Sequence, residues 1–260
     1  MLNKQIALVI LNWNGKKFLE QFLPNVILHS KAAQIIVADN SSTDDSVNFL
    51  KNNYPDIQII NNPSNDGFAK GYNDALKNVI ADYYILLNSD VEVTANWIEP
   101  IIELMESNLE IAACQPKILD FKNKSNFEYA GAAGGFIDKY GYPFCRGRIF
   151  NDLESDNKQY NNSTEVFWAT GACMFVRAKS FWEVGGFDND YFAHMEEIDL
   201  CWRLKNIGFK IFVEPQSTVY HVGGGTLNKI NPKKTYLNFR NNLITLVKNS
   251  DSKFLFFKVI

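Results

Sequence analysis

Four short apolar runs, residues 6–11, 34–39, 57–61 and 83–88, recur through the first third of the chain, and each ends in or meets a polar residue. Helical patterns fill the gaps at residues 16–28, 43–53 and 68–79. Strand-length runs alternating with helices at this spacing build βαβ units on a mainly parallel sheet. The pattern therefore predicts an α/β fold. Ligands of such sheets bind outside the carboxyl ends of the strands. Those ends read Asn12-Trp13-Asn14, Asp39-Asn40-Ser41, Asn61-Asn62-Pro63 and Asn88-Ser89-Asp90, which predicts a polar ligand rim.

The second half changes character. Residues 120–164 are rich in Gly, Asn, Lys and Asp without a sustained period, and predict long loops with an irregular hairpin. A helix pattern returns at 196–207, closed by Gly208, and residues 209–213 and 218–222 read as two short strands. No linker splits the chain, so one domain is expected, with an acceptor-side second half. With 46% hydrophobic and 21% charged residues in 260, the chain is an ordinary globular one, large enough to need no covalent staple. Cys114, Cys145, Cys173 and Cys201 form no CxxC pair, the usage of a reduced cytoplasmic protein. No run reaches the ~18 apolar residues of a membrane span, and none has the form of a signal peptide.

Net charge is −3, which argues against a nucleic-acid binder, but it is unevenly spread. Residues 226–260 hold seven basic side chains against Asp251 alone, so this tail carries +6 and the first 225 residues −9. With Phe254, Phe256 and Phe257, the tail suits an anionic surface; a solvated helix completing the fold is the other reading. The chain stops in the apolar run 254–260 without a polar closure, which reads as a truncation.

Several segments carry candidate chemistry. Asp90, at the tip of an apolar strand, can hold Mg²⁺ or Mn²⁺ through oxygen, although Asn-Ser-Asp is also favoured turn chemistry. Asp39 can accept hydrogen bonds from a base or ribose, or cap the helix that follows it. Gly67 and Gly71 open a helix where backbone can approach an anion, but the segment is neither a Walker loop nor GxGxxG. Glu196, Glu197 and Asp199 crowd a helix start, where the dipole favours acids in any case; Asp199 and Arg203, four apart, are spaced to pair. His221 ends a strand before Gly223, Gly224 and Gly225, a position for a metal ligand, a phosphate donor or a structural histidine.

The order of these segments carries more than any one of them. LNWNG (11–15), VADNSSTD (37–44), NDGFAKGYN (65–73), LLNSD (86–90), TGACMFVRAKSFWEVGGFD (170–188), EEIDLCWR (196–203) and YHVGGGT (220–226) together resemble the family-2 glycosyltransferases of the GT-A fold, in particular the rhamnosyltransferase-like branch. The resemblance implies a single Rossmann-like GT-A domain over residues 1–225. Residues 1–115 would form its nucleotide-binding half and 116–225 its acceptor and catalytic half, with 226–260 a helical extension.

Carried over residue by residue, the resemblance places Leu11, Trp13 and Asp39 at the base. Gly67, Lys70 and Asn73 would flank the nucleotide, with Arg240 at the diphosphate and Thr170-Gly171 near the sugar. Asn88-Ser89-Asp90 stands in the place of the family's metal motif, with Asp90 and His221 the ligands of Mn²⁺ or Mg²⁺. Glu197 corresponds to the general base. Asn88 replaces the more usual Asp, and Glu197 is one methylene longer than the usual Asp, which keeps Glu196 in play as the base.

The implied reaction is inverting transfer from a UDP-sugar or dTDP-rhamnose to a glycan or lipid-linked acceptor of a bacterial surface polysaccharide. The expected location is cytoplasmic, with the tail docked at the inner membrane face. Two other readings share the pattern. A sugar-phosphate nucleotidyltransferase would want a Gly-rich, basic loop after the first strand, where this chain has Asn12-Trp13-Asn14-Gly15. A catalytically silent nucleotide-sugar or glycan-binding module is the other.

Overall fold

The computed structural model describes residues 4–223 and 232–250. The first half follows the expected alternation: β1 (Ile6–Asn12), α1 (Lys16–His29), β2 (Gln34–Asp39), α2 (Ser46–Asn53), β3 (Gln58–Asn61), α3 (Gly67–Leu76) and β4 (Tyr83–Asn88). There follow β5 (Val91–Val93), α4 (Glu99–Ser107) and a ten-residue strand β6 (Ile111–Asp120). Two short hairpins, β7 (Gly135–Ile137) with β8 (Pro143–Cys145) and β9 (Arg148–Ile149) with β10 (Asp152–Leu153), occupy the expected irregular region. The chain returns through β11 (Thr164–Val166), β12 (Cys173–Arg177) and α5 (Ala178–Glu183). A 3-10 turn at Asn189–Tyr191, α6 (Glu196–Asn206), β13 (Lys210–His221) and α7 (Pro232–Asn249) complete it.

The main sheet runs β11-β13-β6-β12-β4-β1-β2-β3, with β5 added on β13. Its β4-β1-β2-β3 portion is wholly parallel, while β12 runs antiparallel to both β4 and β6. Because successive strand side chains face opposite ways, Ala7 and Val9 enter the core on one face with Tyr72, Leu86 and Leu200. Ile6, Leu8 and Ile10 enter the other with Leu23, Val37 and Trp97. Both faces of β1 and β4 are therefore dry, which is why these strands read as continuous apolar runs.

Three expectations are corrected. The second helix starts at Ser46, not Thr43, because side chains hold the turn before it: Asp44 Oδ1 accepts from Ser46 N at 3.0 Å, while Asn14 Oδ1 ties down Thr43 N at 2.7 Å. The third helix ends at Leu76, short of Val79. The two late strands are one, β13, whose register against β6 shifts between Glu214 and Thr218. The 115/116 division falls inside β6, and β12 lies between β4 and β6, so one sheet spans both halves. All four cysteines are free and buried.

Candidate active site

The strand ends meet as a polar rim. Asp39 is buried, and its Oδ1 accepts from Asn12 Nδ2 at 2.8 Å and Ser42 Oγ at 2.6 Å, its Oδ2 from Ser42 N at 2.8 Å. The carboxylate thus caps its own turn and ties β1 to β2. Next to it, Asn62 Nδ2 donates to Asn40 Oδ1 at 2.6 Å and Gly71 O at 2.9 Å, and Asn40 Nδ2 reaches Gly67 O at 3.1 Å. A Cβ on Gly71 would stand 2.5 Å from Asn40, which explains that glycine. Leu11 is partly buried at the rim and Trp13 is exposed beside it.

The end of β4 carries Asn88 and Ser89, both half-buried, and then Asp90, which is buried. Antiparallel pairing of β5 with β13 sets Val91 opposite His221, which brings His221 Nε2 to 3.1 Å from Asp90 Oδ1. On the other side of the ring, Nδ1 stands 3.5 Å from Oε1 of Glu128, a buried carboxylate. Burial opposes a charge on the imidazole, but Asp90 and then Glu128 outweigh it and push its pKa up to about 10.

One nitrogen and one carboxylate suit a hard divalent ion that draws its remaining ligands from phosphate and water. His221 Nε2 and Asp90 Oδ1 face each other at 3.1 Å, so a neutral imidazole beside the carboxylate gives a donor set that fits such an ion. Among the described residues, no group of three or more His, Cys, Asp or Glu is placed to hold a metal ion by itself. Gly224, Gly225 and Thr226 lie outside the described residues.

Glu196 and Glu197 open α6 behind Met195, whose φ is +74°. Burial lifts the Glu197 carboxyl to about 7, offset in part by the backbone N–H groups of Glu197, Ile198, Gly171 and Met195. Glu196 is raised further by burial and by the charges of Glu197 and Asp199. Both Oε2 atoms are buried without a hydrogen-bond partner. Two adjacent carboxyls, each with one buried oxygen left open and one poised near neutrality, are the form a general base takes. Asp199, by contrast, is spent on structure as its spacing predicted: Arg203 meets its Oδ2 through Nε at 2.8 Å and Nη2 at 2.7 Å.

The dipeptide Gly171-Ala172 joins this corner to the rim. Gly171 N–H points to Glu197, and Ala172 O accepts from Asn88 N at 3.0 Å. A Cβ on Gly171 would stand 3.9 Å from Glu197 Cβ. Thr170 is buried, its N–H bonded to Gln115 Oε1 at 3.0 Å, which fixes the strand of backbone leading into Gly171.

Three of the expected nucleotide-binding residues make contacts within the fold. Asn73 donates to Phe187 O at 2.7 Å and Asn189 Oδ1 at 2.8 Å and accepts from Phe187 N at 3.0 Å, so both of its donors are used. Lys70 lies between Asp66 at 3.2 Å and Asp74 at 2.5 Å. Arg240 Nη2 donates to Asp190 O at 2.7 Å and Tyr191 O at 3.1 Å. Gly67, too, answers to packing: at φ +93° a Cβ would lie 2.3 Å from Phe192 O. Gly67→Ala is expected to cost about 1–3 kcal/mol in urea unfolding. Gly208→Ala, at φ +95° with nothing within 4 Å, should cost less. Sequence reasoning placed Asn40 and Asn62 on the rim without a role, and missed Glu128. An isolated acid in the apolar stretch Phe127-Glu128-Tyr129-Ala130 was the available signal for it.

Comparison with known proteins places these features in company. Residues 7–185 match the family model for glycosyl transferase family 2. The N-acetylglucosaminyl-diphospho-decaprenol L-rhamnosyltransferase of Mycobacterium tuberculosis is 26% identical over 235 residues, 83% of this chain and 75% of that protein. Rhamnosyltransferase WbbL of Escherichia coli is 25% identical over 225 residues, 83% of each. Among solved structures, GalNAc-T7 with UDP, GalNAc and Mn²⁺ superposes with a TM-score of 0.69 at 16% identity, over 95% of this chain and 48% of that one. The Pyrobaculum calidifontis mannosyltransferase PcManGT with GDP-Man and Mn²⁺ gives 0.66 at 11% identity, over 95% and 65%. These structural likenesses show a shared GT-A glycosyltransferase fold.

Proposed function

The chain belongs to glycosyl transferase family 2 and is a nucleotide-sugar-dependent glycosyltransferase, and we propose that it inverts the sugar it transfers, with Glu197 as the base and Asp90 and His221 at a divalent metal. The observation that carries this reading is Glu197 itself. It is partly buried, its Oε2 is buried and unpaired, it is poised near pH 7, and it is joined through Gly171-Ala172 to the strand end that bears Asp90. Glu197 takes the proton of the acceptor hydroxyl as that oxygen attacks the anomeric carbon, an assistance of ~10²–10⁴-fold. The bond to the donor phosphate breaks on the opposite face, so the configuration inverts. Asp90 and His221 would hold a Mn²⁺ or Mg²⁺ ion, which would supply Lewis-acid stabilisation to the departing diphosphate. Asp39, with Leu11 and Trp13, meets the nucleobase; Asn88 and Ser89 meet the diphosphate; Thr170 and Gly171 border the sugar.

The names of the two rhamnosyltransferase relatives favour dTDP-rhamnose as donor, with a UDP-sugar the alternative, and a glycan or lipid-linked acceptor. Thermal shifts with UDP, dTDP, GDP and ADP, each with and without Mn²⁺, test the donor site. A ligand at 100 times its Kd adds ~2.7 kcal/mol, roughly 2–4 °C per kcal/mol for a chain of this size. A metal-enhanced shift with dTDP or UDP is expected. No shift with any of the four overturns the donor assignment, and a shift without turnover on lipid-linked acceptors would favour a silent binding module.

A lipid-linked acceptor also places the enzyme at a membrane face. Among the described residues no helix is long and apolar enough to cross a membrane. Tyr236, Phe239, Leu243 and Val247 nevertheless form a stripe along the outer side of α7, each more than half exposed. The Phe-rich, basic residues 251–260 lie outside the described residues. Flotation with anionic but not zwitterionic liposomes is expected; equal recovery in both, or in neither, overturns the docking.

A further inference from the structure

We propose that α7 acts as a strut for the turn that bears the catalytic base, and that Asn241 is its positioning residue. This rests on the reading of Glu197 as the base. Three of the four residues before Glu196 are non-glycine residues in left-handed conformations: Phe192 at φ +63°, His194 at +71° and Met195 at +74°. Each such conformation costs on the order of 1–3 kcal/mol and persists only where surrounding contacts over-determine it. Within the turn Ala193 N donates to Tyr191 O at 2.7 Å, but Met195 at the head of α6 supplies no side-chain cap.

Further holding contacts come from two other elements. On one side, Phe68 N at the start of α3 donates to Phe192 O at 2.6 Å. On the other, the fully buried Asn241 turns its amide nitrogen to three carbonyls of the turn: Tyr191 O at 3.0 Å, Ala193 O at 2.9 Å and His194 O at 2.7 Å. Arg240 Nε donates to Asn241 Oδ1 at 2.8 Å, which fixes the amide with its nitrogen toward the carbonyls. A flipped amide would set oxygen against three oxygens. The grip continues along α7: Thr245 Oγ1 meets Tyr191 OH at 2.8 Å, and Asn249 Nδ2 meets Asp199 Oδ1 at 2.9 Å, one turn into α6.

Glu196 and Glu197 follow directly from this turn, so the placement of their carboxyls is set by a helix some fifty residues away in sequence. Arg240, engaged on Asp190 O and Tyr191 O, belongs to the same grip. Since a displacement of about 1 Å can cost ~10²-fold in rate, the strut governs chemistry without touching substrate.

Two substitutions test it. Asn241→Ala removes the donor, and Asn241→Asp keeps the Arg240 contact while facing the three carbonyls with an acceptor. Both are expected to lower kcat by about 10²-fold, move the acid limb of the pH–rate profile, and leave the Kd for UDP or dTDP within twofold. Hydrogen exchange of the peptide spanning residues 188–200 should accelerate in both, with exchange across β1, β2 and β4 unchanged. Unaltered exchange at 188–200, or kcat within twofold of the parent, overturns the proposal. So does a parallel loss of nucleotide affinity, which would mark a general folding defect. Measured alongside, Glu197→Gln separates the two readings. If that variant keeps full turnover while the Asn241 variants still loosen residues 188–200 and slow turnover, the base assignment falls and the strut stands.

Discussion

Glu197→Gln is expected to lower kcat by about 10²–10⁴-fold, with the donor Kd changed little, because the amide keeps the shape of the side chain but takes no proton. In the parent enzyme the base works only when ionised. Burial holds its pKa near 7, so kcat should rise with pH through about 7, and the Gln variant should lose that limb. The stability consequence has the opposite sign. A carboxyl whose folded pKa is raised from 4.5 to about 7 favours the fold while protonated, and that contribution is lost as pH rises through about 7. The Gln variant, with no proton to lose, should therefore gain thermal stability relative to the parent between pH 5 and pH 8. Turnover of both Glu197→Gln and Glu196→Gln near the parent rate would falsify the base assignment. A large loss in Glu196→Gln alone would move the role one residue back.

Asp90→Asn should be the other severe substitution. It keeps the size of the side chain, removes the charge 3.1 Å from His221 Nε2, and leaves the metal position with a weaker oxygen donor. Divalent ions in such sites supply several kcal/mol of transition-state stabilisation. At about 1.4 kcal/mol per tenfold, kcat/KM should fall on the order of 10³. The Mn²⁺-dependent part of the nucleotide thermal shift should vanish with it, and chelation of the parent by EDTA should produce the same loss, reversed by added Mn²⁺. An Asp90→Asn enzyme that still binds nucleotide more tightly with Mn²⁺ would remove Asp90 from the ligand set.

Much of this architecture could be read along the chain because nearest neighbours write it. The first, second and fourth strands alternate apolar side chains onto two dry faces, so their runs are visible without any knowledge of partners. The spacing of Asp199 and Arg203 likewise foretold a pair within one helix face. β6 was hidden because Gln115-Pro116-Lys117 interrupts its apolar run. Gln115 and Lys117 are nonetheless buried, the one bonded to Thr170 N and Gly131 O, the other to Asp156 at 2.7 Å. Polar residues satisfied by distant partners look, in sequence, like a break in the strand.

The candidate site divides along the same line. The sequence by itself determined the polar strand ends, the acids opening α6, and the order of motifs that ties them to one family, because each is a local pattern of a few residues. Only the tertiary structure decided which of those residues are available to a ligand. It closed the 131-position separation of Asp90 and His221 through the β5–β13 pairing, and added Glu128 behind the ring. It tied Asn73, Lys70 and Arg240 into internal contacts, and set Asn241 of α7 against the turn that precedes Glu196. The physical reason is that desolvation and hydrogen-bond satisfaction belong to a position in space. Local periodicity sets where a side chain points; what lies there to meet it comes from chain folded in from far away.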